Sequence, residues 1–216
     1  MEINQIGVIG SSMKEDERRV PIHPEHLDRL PQSIRQKLIF EKGYGLPFNI
    51  SDDELAHQTG GVSSRASLLS DIGTVIIAKP VVSDLKALKE GGILWGYPHC
   101  AQQEEMTQVA IDRKLTLIAF EDMFVWKPNG EMGRHTFYKN NEMAGYSAVI
   151  HALQLKGIDG HYGNQRKVII FSFGAVSRGA IYALKATVLP LIMSSLSIQY
   201  WFGSLMKLVL SSKDSE

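Results

Sequence analysis

Apolar and polar positions alternate along this chain in two rhythms. Short apolar runs stand at IGVIG (6–10), KLIFEKG (37–43), TVIIAKP (74–80), GILWGYP (92–98) and LTLIAFE (115–121). They are too short for helices and end in Gly, Pro or charge, which predicts buried strands. Between them lie PEHLDRL (24–30), SDDELAHQ (51–58), SRASLLSD (64–71), SDLKALKE (83–90) and QEEMTQVAIDRK (103–114), whose apolar residues recur at helical spacing. Ser51 and Ser83 precede acidic first turns and read as N-caps. Strands alternating with helices at this spacing predict an α/β fold with a largely parallel sheet.

The pattern then changes. WKPNGEMGRHTF (126–137) is polar, carries Pro128-Asn129-Gly130, and reads as a loop or domain connection. NEMAGYSAVIHALQLK (141–156) predicts a helix whose buried face would use Met143, Ala144, Ala148, Ile150 to Leu153 and Leu155. After a glycine-rich loop at 157–165, VIIFSFGAVSRGAIYALK (168–185) reads as a buried strand, a glycine turn and a helix start. Three segments follow: a Rossmann-like substrate domain over 1–137, a connecting helix and loop over 138–164, and an incomplete dinucleotide-binding βα unit over 165–216.

Composition narrows the function classes. The 216 residues are 44% hydrophobic and 21% charged, ordinary values for a globular protein. The formal net charge is zero, so nothing pulls the chain electrostatically toward nucleic acid or a membrane surface. A single cysteine, Cys100, excludes an intrachain disulfide and fits a reducing compartment. The first residues run from an apolar strand straight into charge, without a secretory signal, so the expected location is cytoplasmic. No metal site is assigned.

Three basic residues stand at strand ends: Arg19 in ERRVPIHP, Lys79 in IIAKP and His99 in WGYPHC. Ligands of open parallel α/β sheets bind beyond the carboxyl ends of the strands. Arginine grips a carboxylate through two parallel hydrogen bonds, lysine polarises a carbonyl, and histidine moves a proton near neutral pH. Together they suit a keto acid. The competing reading makes Arg19 and Lys79 solvated surface charges and His99 a hydrogen-bonded loop residue, and spacing alone favours it.

These three motifs together resemble the substrate half of the alanine dehydrogenase, transhydrogenase and saccharopine dehydrogenase superfamily. FYKNNEMAGYSAVIHALQLKGI leading into IIFSFGAVSRGA narrows the resemblance to the N5-(carboxyethyl)ornithine synthases, over roughly residues 1–185. The resemblance implies an NADPH-dependent reductive condensation of pyruvate with the side-chain amine of ornithine. It places pyruvate binding on Arg19 and Lys79 and the proton donor or acceptor on His99. It also implies small-molecule substrates, a homo-oligomer and catalysis between two domains. Arg18 is the lesser candidate, because adjacent strand-like positions face opposite ways.

The glycine turn is the expected NADP site, formed by Ser172, Phe173, Gly174, Ala175, Val176 and Ser177. The family turn reads G-x-G, whereas this chain reads Ser172-Phe173-Gly174, and a side chain at the first position crowds a tight turn. No charged residue occurs between Lys185 and Lys207, and Pro190 interrupts the apolar run where a second strand and an acidic ribose reader belong. The tail 186–216 therefore reads, in order of preference, as a relic of a broken reading frame, a membrane anchor, or a cover for exposed apolar surface. The expectation is a truncated homologue, weakly active or inactive. The alternatives are a non-catalytic remnant that binds a keto acid, or an oxidoreductase of the alanine or saccharopine dehydrogenase kind.

Overall fold

The computed structural model describes residues 4–159, 167–187, 191–193 and 208–211. The chain divides into two compact units, Met1–Met123 and Phe124–Glu216. The boundary of 137 read from the sequence falls inside the second.

The first unit is a six-stranded sheet of β1 (Ile6–Ile9), β2 (Leu38–Glu41), β3 (Gly61–Ser63), β4 (Thr74–Ile77), β5 (Ile93–Gly96) and β6 (Thr116–Ala119). Its order is β3-β2-β1-β4-β5-β6 and every pairing is parallel. This is the doubly wound order, which reverses direction between β1 and β4 and leaves a crevice beyond their carboxyl ends. Five of the strands are the apolar runs of the sequence; β3, reading GVS, has too few apolar residues to show the pattern.

Helices α1 (Gln32–Arg35), α2 (Asp52–Gln58), α3 (Arg65–Asp71), α4 (Val82–Ala87) and α5 (Glu104–Asp112) connect the strands. Alternate side chains of β1 enter two different cores. Val8 packs with Leu27, Phe40, Tyr44 and Leu55, while Ile9 packs with Leu68, Ile77, Leu85 and Met106. Residues Pro24–Arg29 form a 3-10 helix rather than an α-helix. Ser51 caps α2 in a full capping box with Glu54. Ser83 does not cap. Helix α4 begins one residue earlier, and the Asp84 carboxylate accepts from the Val81 backbone N–H at 2.9 Å instead.

In the second unit, the stretch read as a loop is a hairpin of β7 (Phe124–Trp126) and β8 (Met132–His135), with Pro128-Asn129-Gly130 in its turn. Helix α6 (Tyr138–Lys156) follows, then β9 (Lys167–Ile170), α7 (Ala175–Ala186), β10 (Leu191–Met193) and β11 (Leu208–Ser211). Strand β10 pairs parallel with β9, so the second strand not expected from the sequence is present at 191–193. Strand β11 pairs antiparallel on the other side of β9. The rest of the tail lies outside the described residues, as do most of the positions on which the relic, anchor and cover readings turn. Among the described residues, no helix is long and apolar enough to cross a membrane.

The buried face of α6 differs from the expected one. Met143 and Leu155 are exposed; Glu142, Gly145, Val149 and Leu153 are buried. The shift follows from two glycines. A Cβ at Gly145 would overlap the Val176 carbonyl oxygen, and one at Gly179 would overlap that of Glu142. The two helices meet backbone to backbone, which only glycine permits. We predict that Gly145→Ala or Gly179→Ala destabilises the second unit by about 3 kcal/mol, as overpacking of a tight contact does. Gly174→Ala, where a Cβ meets nothing within 4 Å, should leave the melting curve followed by circular dichroism nearly unchanged.

Candidate active site

The segment after β1 carries Arg19, and three sets of contacts hold it. Gly10 and Ser11 donate their backbone N–H groups to Glu41 Oε2 at 3.0 and 2.8 Å, and Ser11 Oγ donates to Glu41 Oε1 at 2.6 Å. Ser12 Oγ donates to the Lys79 carbonyl at 3.0 Å, tying this segment to the end of β4. Further on, the Tyr44 hydroxyl donates to the Ile22 carbonyl at 2.6 Å and accepts from its N–H at 3.0 Å. Burial pushes the Tyr44 hydroxyl pKa well up, so it stays a proton donor.

Arg65, at the start of α3, completes this frame. Its Nη1 donates to Ser11 O at 2.8 Å and lies 3.5 Å from Glu41 Oε1, and its Nη2 donates to Asp84 Oδ1 at 2.7 Å. The Glu41 and Asp84 carboxylates are almost wholly buried. None of these three stood out in the sequence, since a carboxylate that ends a strand resembles a solvated charge until its partner folds against it.

Within this frame the structure brings Arg19, Lys79 and His99 together around the ring of Tyr97. The Arg19 guanidinium carbon lies 5.9 Å and the Lys79 amine 5.2 Å from the ring centroid, and the His99 imidazole stacks on it at 5.8 Å. Tyr97 stood unremarked inside the WGYPHC motif. Arg19 is oriented by Glu17, which accepts from its Nε at 2.8 Å and Nη2 at 2.5 Å and from its backbone N–H at 2.9 Å. The Arg19 hydrogen bond in turn holds the Glu17 carboxyl down at about 2. Arg18 faces elsewhere, into a separate cavity of about 410 Å³ lined by Gly10, Val20, Lys42, Tyr44 and Phe48.

The Lys79 amine contacts Nε2 of His99 directly. Desolvation, together with the cations Lys14 and Arg19, lowers the Lys79 pKa. His99 is lowered by desolvation and by Lys79. His99 adopts a left-handed backbone, φ 50°, and its N–H donates to Glu121 Oε1 at 2.7 Å. An ammonium beside an uncharged imidazole, with an arginine fork nearby, can hold a carboxylate, polarise a carbonyl and take up or release a proton. Among the described residues, no group of three His, Cys, Asp or Glu gathers as a metal site.

The glycine turn lies in the second unit. Gly174 occupies the N-cap of α7, and among the described residues no side chain caps the first N–H groups and no acidic residue stands in the first turn, an arrangement that suits an anion. These residues fit the pyrophosphate of a dinucleotide. Ser172 fits less well: its φ of 76° is the left-handed region that glycine favours. Phe173 is exposed and Ser177 is buried, its Oγ donating to Phe171 O at 3.4 Å. Arg178 is held at 3.2 Å by Glu142 rather than turned to the phosphate side or to solvent. Residues just beyond β10, where a ribose is read, lie outside the described residues.

Comparison with known proteins adds the ancestry. The family described as alanine dehydrogenase/PNT, N-terminal domain, matches residues 8–131. An N(5)-(carboxyethyl)ornithine synthase of Lactococcus lactis subsp. lactis is 25% identical over 189 residues, covering 83% of this chain and 58% of the enzyme. An alanine dehydrogenase of Methanococcus maripaludis is 31% identical over 115 residues, covering 52% of this chain and 31% of the enzyme. The chain thus matches less than two thirds of either relative. The solved structure of a transhydrogenase from Sinorhizobium meliloti superposes with a TM-score of 0.67 at 16% identity, covering 89% of this chain and 59% of the other. An L-alanine dehydrogenase gives 0.63 at 20% identity, covering 88% and 54%. These two likenesses establish the α/β fold.

Two outcomes test the local physics. Arg65→Met should cost about 3 kcal/mol of stability in denaturant unfolding, because it leaves two buried carboxylates without their cation. Ser172→Gly should stabilise the protein by about 1 kcal/mol by removing a left-handed serine.

Proposed function

Since the chain belongs to the alanine dehydrogenase/PNT N-terminal domain family, we propose that its first unit binds an α-keto acid for an NAD(P)-dependent oxidoreductase. The observation that carries this reading is the gathering of Arg19, Lys79 and His99 around one aromatic ring at the carboxyl ends of β1, β4 and β5. Arg19 takes the substrate carboxylate on its guanidinium, preset by Glu17. Lys79 donates to the keto oxygen and draws charge from the carbonyl carbon. His99 moves the proton at that oxygen when an amine adds and water leaves. Ser172 to Ser177 would hold the pyrophosphate of the dinucleotide, whose nicotinamide would supply the hydride.

The specific reaction we favour joins pyruvate to the side-chain amine of ornithine, with NADP as the cofactor. The likeness to the Lactococcus lactis synthase supports it, running over 189 residues and thus past the first unit. One observation favours a second reading, a keto-acid binder without turnover: Ser172 holds a left-handed backbone where the turn has to admit a phosphate.

Calorimetry with pyruvate and spectrophotometry of NADPH with pyruvate and ornithine separate the two. Both readings expect pyruvate to bind, with Arg19→Ala or Lys79→Ala weakening it about tenfold to a hundredfold, the worth of a charge-assisted hydrogen bond. The protonated Lys79 is the binding form, so affinity is kept at low pH and lost as pH rises through a lysine pKa below the ordinary 10.5. The synthase reading expects NADPH consumption that His99→Ala abolishes while pyruvate still binds. Failure of wild-type protein to bind pyruvate would sink both.

A further inference from the structure

Arg18 and Arg19 are neighbours in sequence and serve different spaces. Arg19 belongs to the group around Tyr97, whereas Arg18 lines the cavity of about 410 Å³ beyond the ends of β1 and β2. The segment after β1 brings Gly10, Arg18 and Val20 to that cavity, and the turn after β2 brings Lys42, Tyr44 and Phe48.

The walls are held from outside. The Tyr44 ring is buried, meets Phe40 edge to face at 4.7 Å and is tied through its hydroxyl to Ile22. Gly10 leaves room for that ring, since a Cβ there would come within 2.6 Å of it. Phe48 packs edge to face with His23 at 4.4 Å. The turn itself is pinned where the Gly43 N–H donates to Asp52 Oδ1 and the Lys42 N–H to the Ser63 carbonyl, each at 2.8 Å. Walls fixed in this way form the cavity before any ligand arrives.

The polar groups divide into those already engaged and those that are not. The Glu41 carboxylate is taken by Gly10, Ser11 and Arg65, and the Tyr44 hydroxyl by Ile22. Arg18 and Lys42 are exposed, and among the described residues neither is in an ion pair. The side chains that can meet the polar end of a ligand are therefore cations, while Val20, Tyr44 and Phe48 offer apolar surface to its body. A bare inorganic anion would leave that surface uncovered. We propose that this cavity is a second binding site, for a small carboxylate that carries an aromatic or branched apolar body. Arg18 and Lys42 meet the carboxylate, and the body lies against Tyr44 and Phe48. No part of this rests on the keto-acid reading of Arg19.

Calorimetry of the full chain with 3-phenylpropionate, which has no keto group, tests the site. It should bind with a Kd of about 1 mM or tighter. Acetate lacks the body and 3-phenylpropionamide lacks the charge, so each should bind at least about tenfold more weakly. Arg18→Ala or Lys42→Ala should weaken 3-phenylpropionate about tenfold with an unchanged circular dichroism spectrum, and Arg19→Ala should leave its affinity as it is. In nuclear Overhauser spectra of wild-type protein, the phenyl protons should approach the rings of Tyr44 and Phe48. Absence of binding overturns the proposal, as does equal binding of acetate or of the amide. Affinity that is lost in Arg19→Ala and kept in Arg18→Ala overturns it too, because the ligand then sits with Tyr97. A bound ligand without contacts to Tyr44 and Phe48 overturns it whether or not the variants fold.

Discussion

The carboxyl-terminal edge of the first sheet depends on one guanidinium set between two buried carboxylates. Glu41 ends β2 and Asp84 lies in α4, and Arg65 between them supplies the cation that pairs with both buried carboxylates. Their remaining oxygens are not idle: Glu41 fixes the turn after β1, and Asp84 fixes the backbone that follows Lys79. Arg19 and Lys79 both sit on loops, and a loop positions a side chain no better than its own anchors allow. The same network also explains a negative property of this sheet. It has the strand order of a dinucleotide-binding domain, yet the N–H groups of its first turn, where such a domain receives a phosphate, are already taken by Glu41.

With that frame in place, the local charge balance sets the chemistry. Lys79 and His99 touch, and both are pushed toward their neutral forms by burial and by neighbouring cations. Glu17 and Glu121 answer from opposite sides, the first through Arg19 and the second through His99. A carboxylate placed among these cations relieves a repulsion already present, and it favours the protonated lysine that a keto oxygen requires. The charge balance of these groups therefore favours an anion beside Lys79.

Much of this was legible in the chain. Five strands announced themselves as apolar runs, because a doubly covered parallel sheet buries both faces and leaves no alternation to misread. Lys79 and His99 were legible because each closely follows a strand, and Arg19 because it lies in the charged segment after β1. What stayed hidden was non-local. Glu41 reaches Gly10 and Arg65 reaches Asp84 only in the fold, so each carboxylate looked like one more surface charge. Strand β3 was too short and the hairpin around Pro128 too polar to register. Ser83 lost its cap role because α4 already starts at Val82, with the Asp84 carboxylate reaching back to the Val81 N–H.

The glycine stretch was misleading in a more specific way. Glycines near a strand–turn–helix junction count toward a cofactor motif, yet Gly179 is accounted for by packing alone. It admits the backbone of α6 at Glu142, as Gly145 admits the backbone of α7 at Val176. The same crossing explains Arg178, which pairs with Glu142 across the helix contact. Once the helix–helix contact claims Gly179, what speaks for a phosphate is smaller and more local: Gly174 at a helix start that, among the described residues, no side chain caps. Against it stands Ser172, whose backbone is in the left-handed region that glycine favours and serine adopts at a cost. The turn thus has the backbone of a glycine turn without the glycine at its first position.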